Sequence, residues 1–169
     1  MKIRPTTRAD AEAITHIVTQ GGVFDDDEAR EVRALLDYYF DDTGQDEFLF
    51  LTVVKADCVV GFACYGRIAL TKHNYELNWI ATAKEALRGG VGSALLRAVE
   101  DIARERGGRY LNLETSATAP YAPARAFYER HGYHIVARIP DYYDDGDEMV
   151  MYRKQLVGSE QRTVSSGND

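Results

Sequence analysis

Three glycines in four positions, Gly89, Gly90 and Gly92, stand directly ahead of an amphipathic run in "EALRGGVGSALL", Glu85 to Leu96. The first turn of a helix leaves backbone N–H groups unpaired and carries the positive end of the helix dipole, so an anion binds there when no side chain is in the way. Glycine loses much conformational freedom on folding and is a poor helix former, so such a cluster is kept for a backbone shape or a close approach. The chemistry on offer is the binding of a phosphate-like anion. Two phosphate motifs are excluded by spacing: a P-loop needs Gly-Lys-Ser/Thr, and a dinucleotide fingerprint needs a third glycine where Leu95 stands.

Other reactive side chains are less organised. His16, His73, His131 and His134 show no metal-ligand spacing and have no cysteine near them in sequence, so no metal is expected. Cys58 and Cys64, in "CVVGFACY", fall on one strand face by alternation, too far apart along it to bond to each other, and are expected as buried reduced thiols. The segment "DYYDDGDE", Asp141 to Glu148, mixes aromatic and acidic side chains on the connection between the last two strands. It reads either as part of a cationic acceptor pocket or as a polar turn with Gly146 at its tip.

These residues are carried by 169 positions, 45% of them hydrophobic, enough for a single domain over 1–156, with 157–169 as a C-terminal tail that has almost nothing to bury. A net charge of −7 argues against nucleic-acid binding, which draws its affinity from Lys and Arg on phosphates, and suits a small cationic partner or simple solubility. No apolar stretch resembles a signal peptide or a membrane span, so a soluble cytoplasmic protein without a membrane partner is expected.

The elements follow from periodicity. After a short strand at "KIRP", Thr7-x-x-Asp10 starts one helix, and Asp25 caps a second whose stripe is Val32, Leu35, Leu36 and Tyr39; its acidic first turn reads as a solvated cap. "EFLFLTVVKAD" and "CVVGFACYGRIAL" form a hairpin, and "YELNWIAT" is a further strand. The helix after the glycines buries Val91, Ala94, Leu95, Ala98, Val99 and Ile102 and ends at Gly107-Gly108. "RYLNLETS" is a strand, "APARAFYERHG" a short helix, and "YHIVARI" and "DEMVMYRKQL" are the last two strands.

"LRGGVGSALL" resembles the pyrophosphate loop of the GNAT superfamily, the acyl-CoA-dependent N-acyltransferases, whose pattern is Gln/Arg-x-x-Gly-x-Gly/Ala; Gly90 and Gly92 fall on its two small positions. "YELNWIAT" upstream resembles the superfamily's central splayed strand. "APARAFYERHGY" downstream resembles its second signature, a helix with Phe-Tyr followed by Gly and an aromatic that opens the next strand. The resemblance implies an α/β fold: a mixed, largely antiparallel twisted sheet of about seven strands with two splayed central parallel strands, flanked by about four helices. It also implies acetyl-CoA as co-substrate and transfer of its acetyl group to a primary amine by direct attack in a ternary complex. A homodimer is compatible with it.

By matching position, the resemblance places the backbone of Ile80, Ala81 and Thr82 on the pantetheine arm, and that of Leu87, Arg88, Gly89, Gly90, Val91, Gly92 and Ser93 around the pyrophosphate. The side chains of Trp79 and Ile80 read as core. Leu87 departs from the pattern's Gln/Arg, and Arg88 beside it reads as a phosphate contact or a solvated surface charge. Tyr128 matches the tyrosine that protonates the departing thiolate, its alternative being a buried tyrosine bonded to a carbonyl. Tyr121 stands where many members carry an Asn. Glu114 matches a glutamate base of some members, and Glu76 is the second candidate. The alternative function on the same fold is an acyl-CoA-binding regulatory or sensor domain without turnover. The acceptor is expected to be a small-molecule or peptide amine.

Overall fold

Strand alternation and turn residues build one seven-stranded sheet in the computed structural model, which describes residues 1–156. In chain order its strands are β1 (Lys2–Pro5), β2 (Leu49–Lys55), β3 (Cys58–Arg67), β4 (Asn74–Thr82), β5 (Tyr110–Ser116), β6 (His134–Asp144) and β7 (Asp147–Gln155). The helices are α1 (Ala11–Gln20), α2 (Asp26–Asp41), α3 (Val91–Glu105) and α4 (Ala122–Arg130). Across the sheet the order is β1-β2-β3-β4-β5-β7-β6, antiparallel except between β4 and β5. The expected tail, 157–169, lies outside the described residues. Among those described, no helix is long and apolar enough to cross a membrane.

Local chemistry starts the helices where the sequence places them. Asp25 accepts the Glu28 N–H at 2.8 Å and the Glu28 carboxylate accepts the Asp25 N–H at 2.8 Å, a reciprocal cap on α2. Ahead of α1, Asp10 accepts from both the N–H and the hydroxyl of Thr7, at 2.8 and 2.9 Å, and a single 3₁₀ turn over Arg8–Asp10 intervenes before the α-helix begins. Gly90 precedes α3 with φ +75°, in the left-handed region that a side chain disfavours.

The sheet is covered on both faces. On one, Leu95, Leu96 and Val99 of α3 and Tyr128 of α4 pack with Leu111, Leu113, Val150 and Tyr152. On the other, Ile14, Ile17 and Val18 of α1 and Val32 and Leu36 of α2 pack with Phe50, Phe62 and Cys64, and Trp79 joins this second core edge-on to Phe24 at 5.6 Å. Trp79 and Ile80 therefore serve as core packing, as their apolar character implies.

Two expectations are corrected. Cys64 is fully buried, but Cys58 is exposed, because the β2–β3 register slips between Val53 and Val54. A bulge reverses the alternation between the two cysteines. "DYYDDGDE" is not mainly a connection: Asp141–Asp144 belong to β6 and Asp147–Glu148 to β7, leaving Asp145 and Gly146 as the turn. There the Gly146 N–H donates to Asp141 at 2.7 Å.

The decisive irregularity is central. β4 and β5 pair only where Asn74, Tyr75 and Glu76 face Tyr110, Leu111 and Asn112. Beyond that, β4 bulges against β3 between Cys64/Trp79 and Tyr65/Leu77, while β5 stays paired with β7 as far as Ser116. A bulge bends its strand and sharpens the twist, and here β4 leaves β5. The facing edges of Leu77–Thr82 and Leu113–Ser116 have no strand partner in each other.

Candidate active site

The glycine loop ends the splayed edge. After Thr82 the chain makes a 3₁₀ turn at Lys84–Ala86, then Arg88 and Gly90 both take positive φ, +62° and +75°. The Leu87 and Gly89 N–H groups are spent on the carbonyls of Lys84 and Ala86. Those of Gly90, Val91, Gly92 and Ser93 find no acceptor among the described residues, as the first turn of a helix requires. Four successive unpaired donors at a helix start, with open space around the Gly90 position, are able to hold a pyrophosphate. Leu87 and Arg88 are exposed, so the side chain that departs from the family pattern points away from any core.

Gly92 is less constrained than its place in the motif implies: a Cβ there would meet the Phe127 ring at 3.6 Å and Thr82 at 3.9 Å, ordinary contact distances. The same contacts show what the loop touches. Phe127 of α4 covers the first turn of α3, and His131 at the end of α4 lies 3.0 Å from the Ser93 hydroxyl. The other ring nitrogen of His131, Nδ1, is 2.8 Å from the Phe127 carbonyl, which only accepts, so Nδ1 holds the proton and in the neutral ring Ser93 donates to Nε2. His73, whose Nδ1 lies 3.1 Å from the Gly107 carbonyl, and His131 are hydrogen-bonded residues. Among the described residues there is no His, Cys, Asp and Glu group able to hold a metal.

Tyr128 is buried beside Tyr133 and Tyr152, with ring centroids 6.0 Å from each. Its hydroxyl makes no hydrogen bond to any described residue, unlike Tyr133, which donates to Glu100 at 2.9 Å, and Tyr152, which donates to Glu129 at 2.7 Å. Burial pushes the Tyr128 hydroxyl well above its usual value, so it stays a proton donor across the neutral range.

On the opposite face stand the two glutamates. Glu76 is level with Asn112 in the parallel register, and Glu114 lies two residues further along β5, on the same side as Asn112. Glu114 is exposed; Glu76 is half-buried, with Asn78 donating to it at 3.4 Å. Burial, and then the charge of Glu114, raise the Glu76 carboxyl above the ordinary range. Cys64 lies near Glu76 and is held as a thiol, first by burial and then by the Glu76 charge.

Further contacts reach this face, joining Tyr121 and the "DYYDDGDE" segment to Glu28 and Ser116, two residues the sequence did not mark. Tyr121 donates to Glu28 at 3.0 Å, so one carboxylate of the acidic helix start is not merely a solvated cap. Ser116 donates to Asp147 at 2.5 Å. Tyr143 is pushed up to about 12 by burial and by the charges of Glu114, Asp147 and Glu28 among others. In the sequence Glu28 is one of several acids in the first turn of α2, and nothing local points to a partner 93 positions away.

With this geometry in place, the comparisons with known proteins become specific. Residues 12–133 match the Acetyltransferase (GNAT) family. The chain is 33% identical over 108 residues, 64% of its length and 70% of the other's, to the uncharacterized N-acetyltransferase YsnE of Bacillus subtilis. A crystal structure of a GNAT-family protein from Desulfovibrio desulfuricans superposes with a TM-score of 0.87 at 34% identity, covering 92% of this chain and 99% of that one. An aminoglycoside 6'-N-acetyltransferase crystallised with coenzyme A shares the fold, with a TM-score of 0.71 at 19% identity over 94% of this chain and 98% of that one. The chain belongs to the GNAT family of acetyl-CoA-dependent acetyltransferases.

Proposed function

We propose that this protein transfers the acetyl group of acetyl-CoA to a primary amine by direct attack in a ternary complex. The observation that carries the reading is the three-residue limit of β4–β5 pairing, which opens a slot with a glycine loop at its end. In that slot the free edge of Ile80, Ala81 and Thr82 binds the pantetheine arm, and the N–H groups from Gly90 to Ser93 hold the pyrophosphate. Acetyl-CoA supplies an activated acyl carbon and a thiolate leaving group.

The chain's own contribution is placement and proton traffic. The attacking amine must be neutral, and the Glu76–Glu114 pair takes its proton, with Glu76, whose carboxyl burial raises, as the favoured base. Tyr128, with an unengaged hydroxyl, returns a proton to the departing sulfur. Backbone N–H groups on the β4 edge face the carbonyl oxygen as it gathers negative charge. Neither cysteine is needed as nucleophile: Cys64 is a buried thiol and Cys58 is exposed on the hairpin.

Calorimetric titration with acetyl-CoA, CoA and dephospho-CoA, followed by an amine screen, tests this. Tight acetyl-CoA binding with turnover supports it. Binding without turnover on any amine identifies a sensor, and no binding removes both readings.

A further inference from the structure

At the fork, β4 and β5 are joined by a side chain as well as by backbone. Glu76 and Asn112 form the last of the three residue pairs that the two strands share, and Asn112 is buried, 7% exposed. Its Nδ2 donates to the Tyr75 carbonyl of β4 at 3.0 Å and to Asn74 Oδ1 at 3.3 Å. Arg153, level with Asn112 on β7, donates from Nη2 to the same Asn74 oxygen at 3.1 Å, and its guanidinium carbon lies 3.7 Å from the centre of the Tyr110 ring. One arrangement satisfies these groups. A guanidinium has donors and no acceptor, so Asn74 must present its oxygen; that oxygen and the Tyr75 carbonyl only accept, so Asn112 must turn its amide nitrogen to both. β4, β5 and β7 are thereby locked at one level.

The backbone alone is poorly equipped to hold this point. Parallel pairing is slightly weaker per residue than antiparallel, and the bulge that draws β4 away falls just beyond the last pair, between Leu77 and Trp79. At the closed end of the fork the His73 carbonyl accepts the Arg109 N–H at 2.9 Å, a backbone anchor. At the open end the added tie is the Asn112 side chain. Glu76 follows Tyr75 directly, so what fixes the Tyr75 carbonyl also fixes the backbone that carries the Glu76 carboxylate.

We propose that Asn112 is a positioning residue for acetyl transfer: its amide, locked by Asn74 and Arg153, sets where β4 leaves β5 and keeps Glu76 at the depth, and at the distance from Glu114, that suit a base. This rests on the acetyl-transfer reading above. Around Glu76 stand Glu114, Cys64 and, lining one pocket with it, Glu47 and Arg67, the last paired with Asp46. Of these groups Glu114 alone is carried by the other arm of the fork. Release of the clamp therefore changes the Glu76–Glu114 spacing and admits water to Glu76, and both changes bring its carboxyl down toward the ordinary range.

Two variants of the whole chain test this. Asn112→Ser stays polar but is too short to reach both acceptors. Asn74→Ala removes the shared oxygen, leaves the Asn112–Tyr75 bond, and decides the matter should Asn112→Ser not fold. The readouts are kcat and KM with acetyl-CoA and the amine turned over fastest in the screen above, the acid limb of the pH profile, and the Glu76 carboxyl followed by NMR titration. In Asn112→Ser the expected kcat is lower by about ten- to a hundred-fold, the scale of a misplacement of about 1 Å. The KM for acetyl-CoA stays close to that of the unmodified protein, because the glycine loop lies at the other end of the slot. The acid limb and the carboxyl titration both move to lower pH, and in Asn74→Ala they move the same way by less. A Glu76 titration that stays in place in both variants overturns the proposal, because a purely structural tie would lower the melting temperature and leave that titration alone. If the unmodified protein binds acetyl-CoA but turns over no amine, the transfer reading falls, and the carboxyl titration still decides the clamp: movement in the variants upholds it and no movement overturns it.

Discussion

Glu76 and Glu114 stand on the two strands that part company, on the same face of the sheet, and the charge of one helps to hold the carboxyl of the other above its ordinary range. Burial and that neighbouring charge make the half-buried Glu76 a better base than an ordinary carboxylate.

This gives a prediction with a sign. A base must be deprotonated, so activity falls as pH drops through the raised value of Glu76. Glu114→Gln removes the neighbouring charge, and the acid limb of the kcat/KM profile moves to lower pH. Glu76→Gln lowers kcat by about 10²- to 10⁴-fold, the range for loss of a general base. If Glu114→Gln instead abolishes the acid limb, Glu114 is the base. Stopped-time assays between pH 5 and 9, read as kcat/KM, separate the two.

Tyr128→Phe keeps the ring that packs on Tyr133 and Tyr152 and removes only a hydroxyl without a hydrogen-bond partner among the described residues. The expected result is a kcat reduced by about ten- to a thousand-fold with the melting temperature unchanged. A thiolate leaves readily, which is why the loss is not total. A fall in melting temperature alongside unchanged kcat would make Tyr128 a packing residue.

The glycines of the loop separate into two kinds. Gly90, at φ +75°, resists any side chain for backbone reasons, and Gly90→Ala is expected to cost about 1–2 kcal/mol of stability and to weaken acetyl-CoA binding. At Gly92 a Cβ meets Phe127 at 3.6 Å, so Gly92→Ala is expected to fold normally. Thermal melts and acetyl-CoA titration of both variants check the contrast.

How far the sequence could be read depends on the range of the interactions. The helix after the glycines, the cap at Asp25 and the β2–β3 hairpin are local, set by periodicity and by residues within a turn of one another, and the structure has them where they were expected. The β4–β5 opening was inferred by resemblance, since a bulge that depends on register against β3 leaves no mark in "YELNWIAT". The same limit explains Cys58, misassigned because one extra residue in β3 inverted the alternation. The Tyr121–Glu28, Ser116–Asp147 and Glu76–Glu114 relationships join residues far apart in sequence, so their individual types were visible and their company was not.

Away from the site, Asp10 offers a direct test of the packing that supports α1. Its side chain is buried, accepts two hydrogen bonds from Arg4 at 2.6 and 2.8 Å and two more from Thr7, and bonding with Arg4 is the main reason its carboxyl sits at about 2, below the usual 3.8. A carboxyl depressed in the folded state stabilises the fold fully above the unfolded value and loses that contribution as pH falls through the folded one. The window is therefore roughly pH 4 down to pH 2, with about 2 kcal/mol at stake. In urea melts across this window the unmodified protein is expected to weaken steadily, whereas Asp10→Asn, already weaker at pH 7, is expected to show a shallower slope. An identical slope in the two proteins would mean that other carboxylates, not Asp10, govern acid unfolding.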